Sequence, residues 1–234
     1  MKPVSLATNI GLATAWVFAL AMAVSCGPRA NSAMPDPRAA NSILAQAVQK
    51  LEGADSYSFS IEANHHWLFE GQAQNWLFKG EGSFTKPDRF KSELEGPADT
   101  LLAVEINGNS VKAWDTRGEV SNATAAFGGP GYGSSPYLAI LYMKDFGEAS
   151  DLGPVTLDNA EAYRLEFKPD LSRVGAASTA FEVEMQKVTK VRGEVWIRKR
   201  DSVIRKEVIE VDFISRGGNE EKVTLTLKFN DYGG

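Results

Sequence analysis

Few side chains in this sequence can make or break bonds, and their spacing narrows the choice further. Cys26 is the single cysteine among 234 residues, so neither an internal disulfide nor a Cys-based metal site can be assembled. The two histidines, His65 and His66, are adjacent. In a strand, neighbouring side chains point to opposite faces, so these two cannot share a metal ion. A Ser/His/Asp triad can be drawn through His66, but no serine sits in a nucleophile-elbow sequence. Most Asp and Glu residues alternate with Lys and Arg, as on a solvated strand face. A carboxylate pair suited to glycoside hydrolysis is the catalytic arrangement that such alternation leaves open. The glycine-rich segment Phe127–Pro136 (FGGPGYGSSP) lacks the Lys-Ser/Thr ending of a phosphate loop and reads as a flexible flap. The expectation is a protein that is not an enzyme, with no catalytic residues, no cofactor and no metal.

Charge points the same way. The formal net charge is -5 and no basic block stands out, so no nucleic-acid partner is expected. Arg192, Arg198, Lys199, Arg200, Arg205 and Lys206 do cluster, with Glu194, Asp201, Glu207 and Glu210 among them. They read as a wet strand face and turn; a surface for anionic headgroups is the alternative.

The lone cysteine gains meaning from what precedes it. Lys2 is the only charge before Arg29, and Ile10–Val24 is an uninterrupted run of small and apolar residues. A bilayer-spanning helix needs about 20 apolar residues, so the run fits a secretory leader better. It ends in Ala23-Val24-Ser25-Cys26-Gly27, which resembles a bacterial lipobox, with Ala23 where the pattern usually has Leu. The resemblance implies removal of residues 1–25 and a diacylglycerol on the Cys26 thiol. It also implies an extracytoplasmic protein, lipid-anchored to the bacterial cell membrane. Each buried methylene contributes about 0.8 kcal/mol, so two or three acyl chains would hold it durably. A plain secretory signal with a chance cysteine, or an uncleaved anchor, is the other reading.

Residues 26–35, rich in Pro, Asn, Ser and Ala, read as a flexible tether, and residues 36–234 as one domain. Asp36 can cap a helix, Pro37 suits its first position, and Gly53 follows its last turn. Ile43, Leu44, Ala47, Val48 and Leu51 make one apolar stripe. Strand texture follows. Tyr57, Phe59, Ile61, Ala63, His65, Trp67 and Phe69 alternate with polar residues. After a Gly71–Asn75 turn, so do Trp76, Phe78, Gly80, Gly82 and Phe84. Lys86-Pro87-Asp88 turns, Asn107-Gly108 has the form of a two-residue hairpin loop, and Gly217-Gly218-Asn219 turns again. Pro136–Phe146 (PYLAILYMKDF) predicts a central helix with almost no polar face. About ten strands, two helices and no βαβ rhythm predict a mainly β (α+β) antiparallel sheet.

Such a sheet must hide its dry face. With this many strands it tends to curl, and Gly80 and Gly82 would ease the bend. The expected shape is a half-barrel, its concave face covered by the N-terminal and central helices. Periodicity alone favours an ordinary packed core beneath it over an apolar cavity. The segments NSILAQAVQKLEG, SYSFSIEA, GEGSFTKPDRFKSEL and GEVWIRKRDSVIRKEVIEVDF, in that order, resemble the LolA/LolB-like lipoprotein-carrier fold, closest in texture to the LppX/LprG lipid-binding group. The resemblance implies an incomplete barrel enclosing a cavity for acyl chains, and a protein that binds or carries a lipid or lipoprotein acyl chain. Trp67, Trp76, Phe78 and Phe84 would line the cavity, with Leu141 and Tyr142 as a lid. The alternative is a non-catalytic sensor or interaction domain with a filled core and an envelope protein partner; an envelope hydrolase is the third.

Overall fold

The computed structural model describes residues 37–69, 71–108, 110–116, 118–119, 147–170, 185–215 and 218–233. All belong to one compact unit, Met34–Gly234. The leader, Cys26, the tether, the glycine-rich flap and the central helix with Leu141 and Tyr142 lie outside the described residues.

Helix α1 spans Pro37–Gly53. Its stripe predicts which face is buried: Ala40, Leu44, Ala47, Val48 and Leu51 are withdrawn from solvent, and Lys50 suits the negative end of the helix. That face packs on strands β7 and β10 of the sheet described next. The Asn41 side chain pins the helix to β7 by accepting a hydrogen bond from the Ala149 amide at 3.0 Å. No helix among the described residues is long and apolar enough to cross a membrane.

Among the described residues everything else of regular length is strand. In chain order these are β1 (Ser56–Phe69), β2 (Gln72–Thr85), β3 (Arg89–Glu95), β4 (Leu101–Asn107), β5 (Ser110–Asp115) and β6 (Gly118–Glu119), then β7 (Gly147–Leu157), β8 (Ala160–Pro169), β9 (Met185–Arg198), β10 (Val203–Ser215) and β11 (Glu220–Gly233). They form one antiparallel sheet in the order β6-β5-β4-β3-β2-β1-β11-β10-β9-β8-β7. It is not closed. The fold is the predicted curved half-barrel with a helix on its concave face.

Register explains the dry side. Phe59 stands opposite Gly82 and Phe229, and Ile61 opposite Gly80 and Leu227, so apolar side chains form rows across the strands. The two mid-strand glycines allow close approach. A Cβ on Gly80 would collide with the Glu93 carbonyl, and one on Gly82 with the Phe59 ring.

Two turns differ from expectation. Phe69 pairs with Gln72, so β2 begins four residues before Trp76, and no turn spans Gly71–Asn75. A tight connection through Gly71 at φ +76° replaces it. Asn107 is likewise the last paired residue of β4, opposite Ser110, so the loop begins at Gly108 (φ +59°). This register sets Ile106 against Val111 and Val104 against Ala113, apolar partners that a loop one residue earlier would break. Strand β7 lacks clear alternation in sequence, and it carries a bulge between Asp151 and Pro154.

Candidate functional site

The concave face changes character along the strands. At the end near the start of β1, Tyr57, Phe59, Phe84, Phe90 and Phe229 close into a packed aromatic core. Tyr57 and Phe84 have ring centroids 5.0 Å apart, and Phe59 and Phe90 stack at 5.9 Å. Phe84 is only 6% exposed and belongs to this core.

Toward the other end the same face continues without the same cover. Trp67 and Trp76 meet edge to face, centroids 5.0 Å apart and planes at 85°, and Trp76 meets Phe78 at 6.3 Å. Trp76 is 46% exposed, and Trp67 and Phe78 are half-buried. The sequence-predicted set thus divides: Trp67, Trp76 and Phe78 come together, while Phe84 lies in the solid core. Phe78 folds over Gly96, where a Cβ would strike its ring. Next to these rings the His65 ring lies 4.8 Å from Trp67 and 6.1 Å from Phe213, with Nε2 2.6 Å from Glu221 Oε2. His66 points away and is exposed, as strand alternation requires. An open pocket of about 470 Å³ lies at the rim of this end, where Trp67, Gln74, Phe213 and Glu221 of the aromatic face meet His66, Leu68, Asp212 and Lys222 of the opposite one; neither Trp76 nor Phe78 borders it.

The arrangement offers large apolar contact with one polar pair at its edge. Among the described residues no group of three or more His, Cys, Asp or Glu side chains is placed to hold a metal ion.

Sequence reasoning missed the role of Glu207. It reads as one more charge on a wet face, yet its side chain is 0% exposed, opposite Val195 and Leu227, and neither oxygen has a hydrogen-bond partner. A bulge between Ile204 and Lys206 inserts one residue and shifts the phase of β10. Counting back in twos from Phe213, Val211 and Ile209 reaches Glu207 on the dry side. Burial pushes its carboxyl well above the usual carboxylate range, which favours the protonated form. Nearby, the Tyr232 hydroxyl donates to the Ile204 carbonyl at 2.9 Å, and burial raises that phenol too.

The rest of the basic cluster is a wet face. Arg192 pairs with Glu166 and Glu194, and Arg198 forks onto Asp201 at 2.9 and 2.7 Å. Lys199 reaches Glu161, Arg200 reaches Asp201, Arg205 donates to the Asn230 carbonyl, and Lys206 sits 4.5 Å over the Trp196 ring. Burial alone would raise the carboxyls of Glu166 and Asp201. Lys168 and Arg192 outweigh it at the first, and Arg198, the Val203 amide and Arg200 at the second, so both titrate below their ordinary values.

No family model matches the sequence, and no curated protein sequence does. Among solved structures the chain is similar to the lipoprotein LppX of Mycobacterium tuberculosis, with 9% identity and a TM-score of 0.47 over 85% of this chain and 97% of that one. LprF from Mycobacterium bovis is similar at 12% identity and a TM-score of 0.46, over 86% and 95%. A LolA superfamily protein from Nitrosomonas europaea is similar at 12% identity and a TM-score of 0.33, over 82% and 91%. The structural neighbours therefore include both groups that the order of elements resembles.

Proposed function

We propose that this chain is a membrane-tethered extracytoplasmic lipoprotein that binds or carries a lipid or acylated ligand at the open end of its half-barrel. In this reading residues 1–25 are removed, Cys26 carries the lipid, and residues 26–35 lift the 36–234 domain off the membrane. Leu141 and Tyr142 would cover the ligand. The observation that supports it most is the aromatic row Trp67–Trp76–Phe78, which extends the dry face past the closed core and leaves Trp76 nearly half in water. A ring of this size buries about 150–250 Å², so an acyl chain lying on the row would remove a large apolar area from solvent. Binding of this kind needs no nucleophile, and a binder rather than an enzyme is proposed.

The test has two arms. Solvent extraction of the purified protein followed by lipid mass spectrometry should yield a bound acyl lipid. A fluorescent fatty-acid probe should bind, and Trp76→Ala with Phe78→Ala should weaken it about tenfold, equivalent to about 1.4 kcal/mol. A protein that neither retains acyl lipid nor takes up the probe overturns the reading in favour of a sensor or interaction domain. For the anchor, Cys26→Ser should abolish lipid modification; full partition of that variant with membranes would sink the lipobox assignment.

A further inference from the structure

We propose that the tip of the β1–β2 hairpin, Trp67 to Phe78, docks into the headgroup zone of a neutral lipid bilayer. The hairpin overhangs the sheet. Strand β1 pairs with β11 only as far as Trp67 opposite Glu221, and β2 pairs with β3 only from Lys79 opposite Glu95. Between those limits, among the described residues, the two strands pair only with each other, with Leu68 opposite Ala73 and Phe69 opposite Gln72.

The tip exposes large apolar side chains on both sides, beside the polar Gln72, Gln74 and Asn75. Trp67 and Trp76 lie on the concave side, and Leu68 (53% exposed) and Leu77 (39% exposed) on the convex side. Its sequence, WLFEGQAQNWLF, repeats Trp-Leu-Phe and holds a single charged residue, Glu70. Beside it His65 hydrogen-bonds with Glu221, Lys79 pairs with Glu62 at 3.7 Å, and Lys222 pairs with Glu210 at 3.2 Å.

This charge pattern selects the partner. An anionic surface calls for unpaired cations, and the tip presents none among the described residues; a zwitterionic surface asks for none. A protein partner would cover one side of a hairpin, whereas a fluid interface wets both. Tryptophan favours that interface because its ring is apolar and its N–H is not. Depth is limited too. Among the described residues, the outer edges of Gln72–Phe78 and of Leu68 and Phe69 carry backbone groups without a neighbouring strand, which hydrocarbon would not tolerate. The tip therefore stays within about 5–10 Å of the headgroups. Trp67, Leu68, Ala73 and Gln74 also line the 470 Å³ pocket at the rim, so docking would bring that pocket beside the membrane.

The experiment uses the full chain with Trp16→Phe, reconstituted into phosphatidylcholine vesicles brominated in their acyl chains. Four tryptophans then remain, and the two at the tip should be quenched, giving about a twofold fall in emission. Trp67→Phe with Trp76→Phe should remove the quenchable fraction. Leu68→Glu with Leu77→Glu, on the convex side, should abolish quenching while circular dichroism stays unchanged. On the protein without tip substitutions, 0.5 M salt and added phosphatidylserine should change nothing, and where the Glu pair misfolds, Leu68→Gln with Leu77→Gln takes its place. Quenching that persists in a folded Glu pair would mean lipid held on the concave aromatic row and would overturn docking without touching the proposed function. No quenching, quenching only with phosphatidylserine, or a dimer dissociated by the Glu pair would overturn it equally.

Discussion

Replacing Glu207 with methionine should stabilise the protein, increasingly so as pH rises. The carboxyl is fully buried between Val195 and Leu227, and both oxygens lack partners. A buried polar group left without a hydrogen bond costs about 1–3 kcal/mol, and an apolar side chain of similar length removes that cost. The pH-dependent part has a definite sign. Burial raises the native carboxyl well above its ordinary 4.5. Below that ordinary value both states are protonated and pH has no effect. Above it the unfolded chain ionises while the native carboxyl keeps its proton, so unfolding releases a proton and stability falls as pH rises. The slope is about 1.4 kcal/mol per pH unit for as long as the native group holds its proton. Urea unfolding followed by circular dichroism at pH 5, 6, 7 and 8 should show the advantage of Glu207→Met widening with pH. Glu207→Gln should flatten the slope and still leave an unsatisfied amide. An advantage that is constant with pH, or a methionine variant less stable throughout, would refute the reasoning by showing that the carboxyl is ionised and partnered in the native protein.

Asp201 carries the opposite linkage. Its pKa is held down chiefly by Arg198 against the effect of burial, so Asp201→Asn should cost about 0.5–1 kcal/mol at pH 7. The loss should disappear as pH falls below 3.8, measured as the difference in melting temperature between wild type and variant. Core and site should also separate in urea. Phe84→Ala opens a void in the packed aromatic cluster and should cost about 3–5 kcal/mol, whereas Trp76→Ala, half in solvent, should cost no more than about 1 kcal/mol. Equal losses at the two positions would contradict the division of the concave face.

Where period and punctuation agree, the sequence is readable. Pro37 and Gly53 bound a helix whose stripe is buried as spaced, and Tyr57, Phe59 and Ile61 enter the core in strict alternation. Alternation fails where the backbone changes phase. The bulge near Arg205 hides Glu207 among charges that do face water, and Gly153 and Pro154 interrupt β7, an outer strand that tolerates a missing donor. Turn positions slip because a loop is fixed by which side chains face each other across the strands. The aromatic half of the candidate site is legible, since Trp67, Trp76 and Phe78 lie in continuous alternating runs. The His65–Glu221 pair is not: its members stand 156 residues apart and meet only through the β1–β11 register.

That register also governs how the molecule assembles. Each half of the sheet is a local meander, β1 through β6 on one side and β7 through β11 on the other, and both can form from nearby residues. The seam between them joins the first strand to the last, with Ser56 opposite Gly233. Such a long-range pairing is slow to form. Until β11 has been made, β1 keeps that edge bare, so the two halves lock only once the eleventh strand is added, and loss of that strand would leave two open ribbons where there had been one sheet.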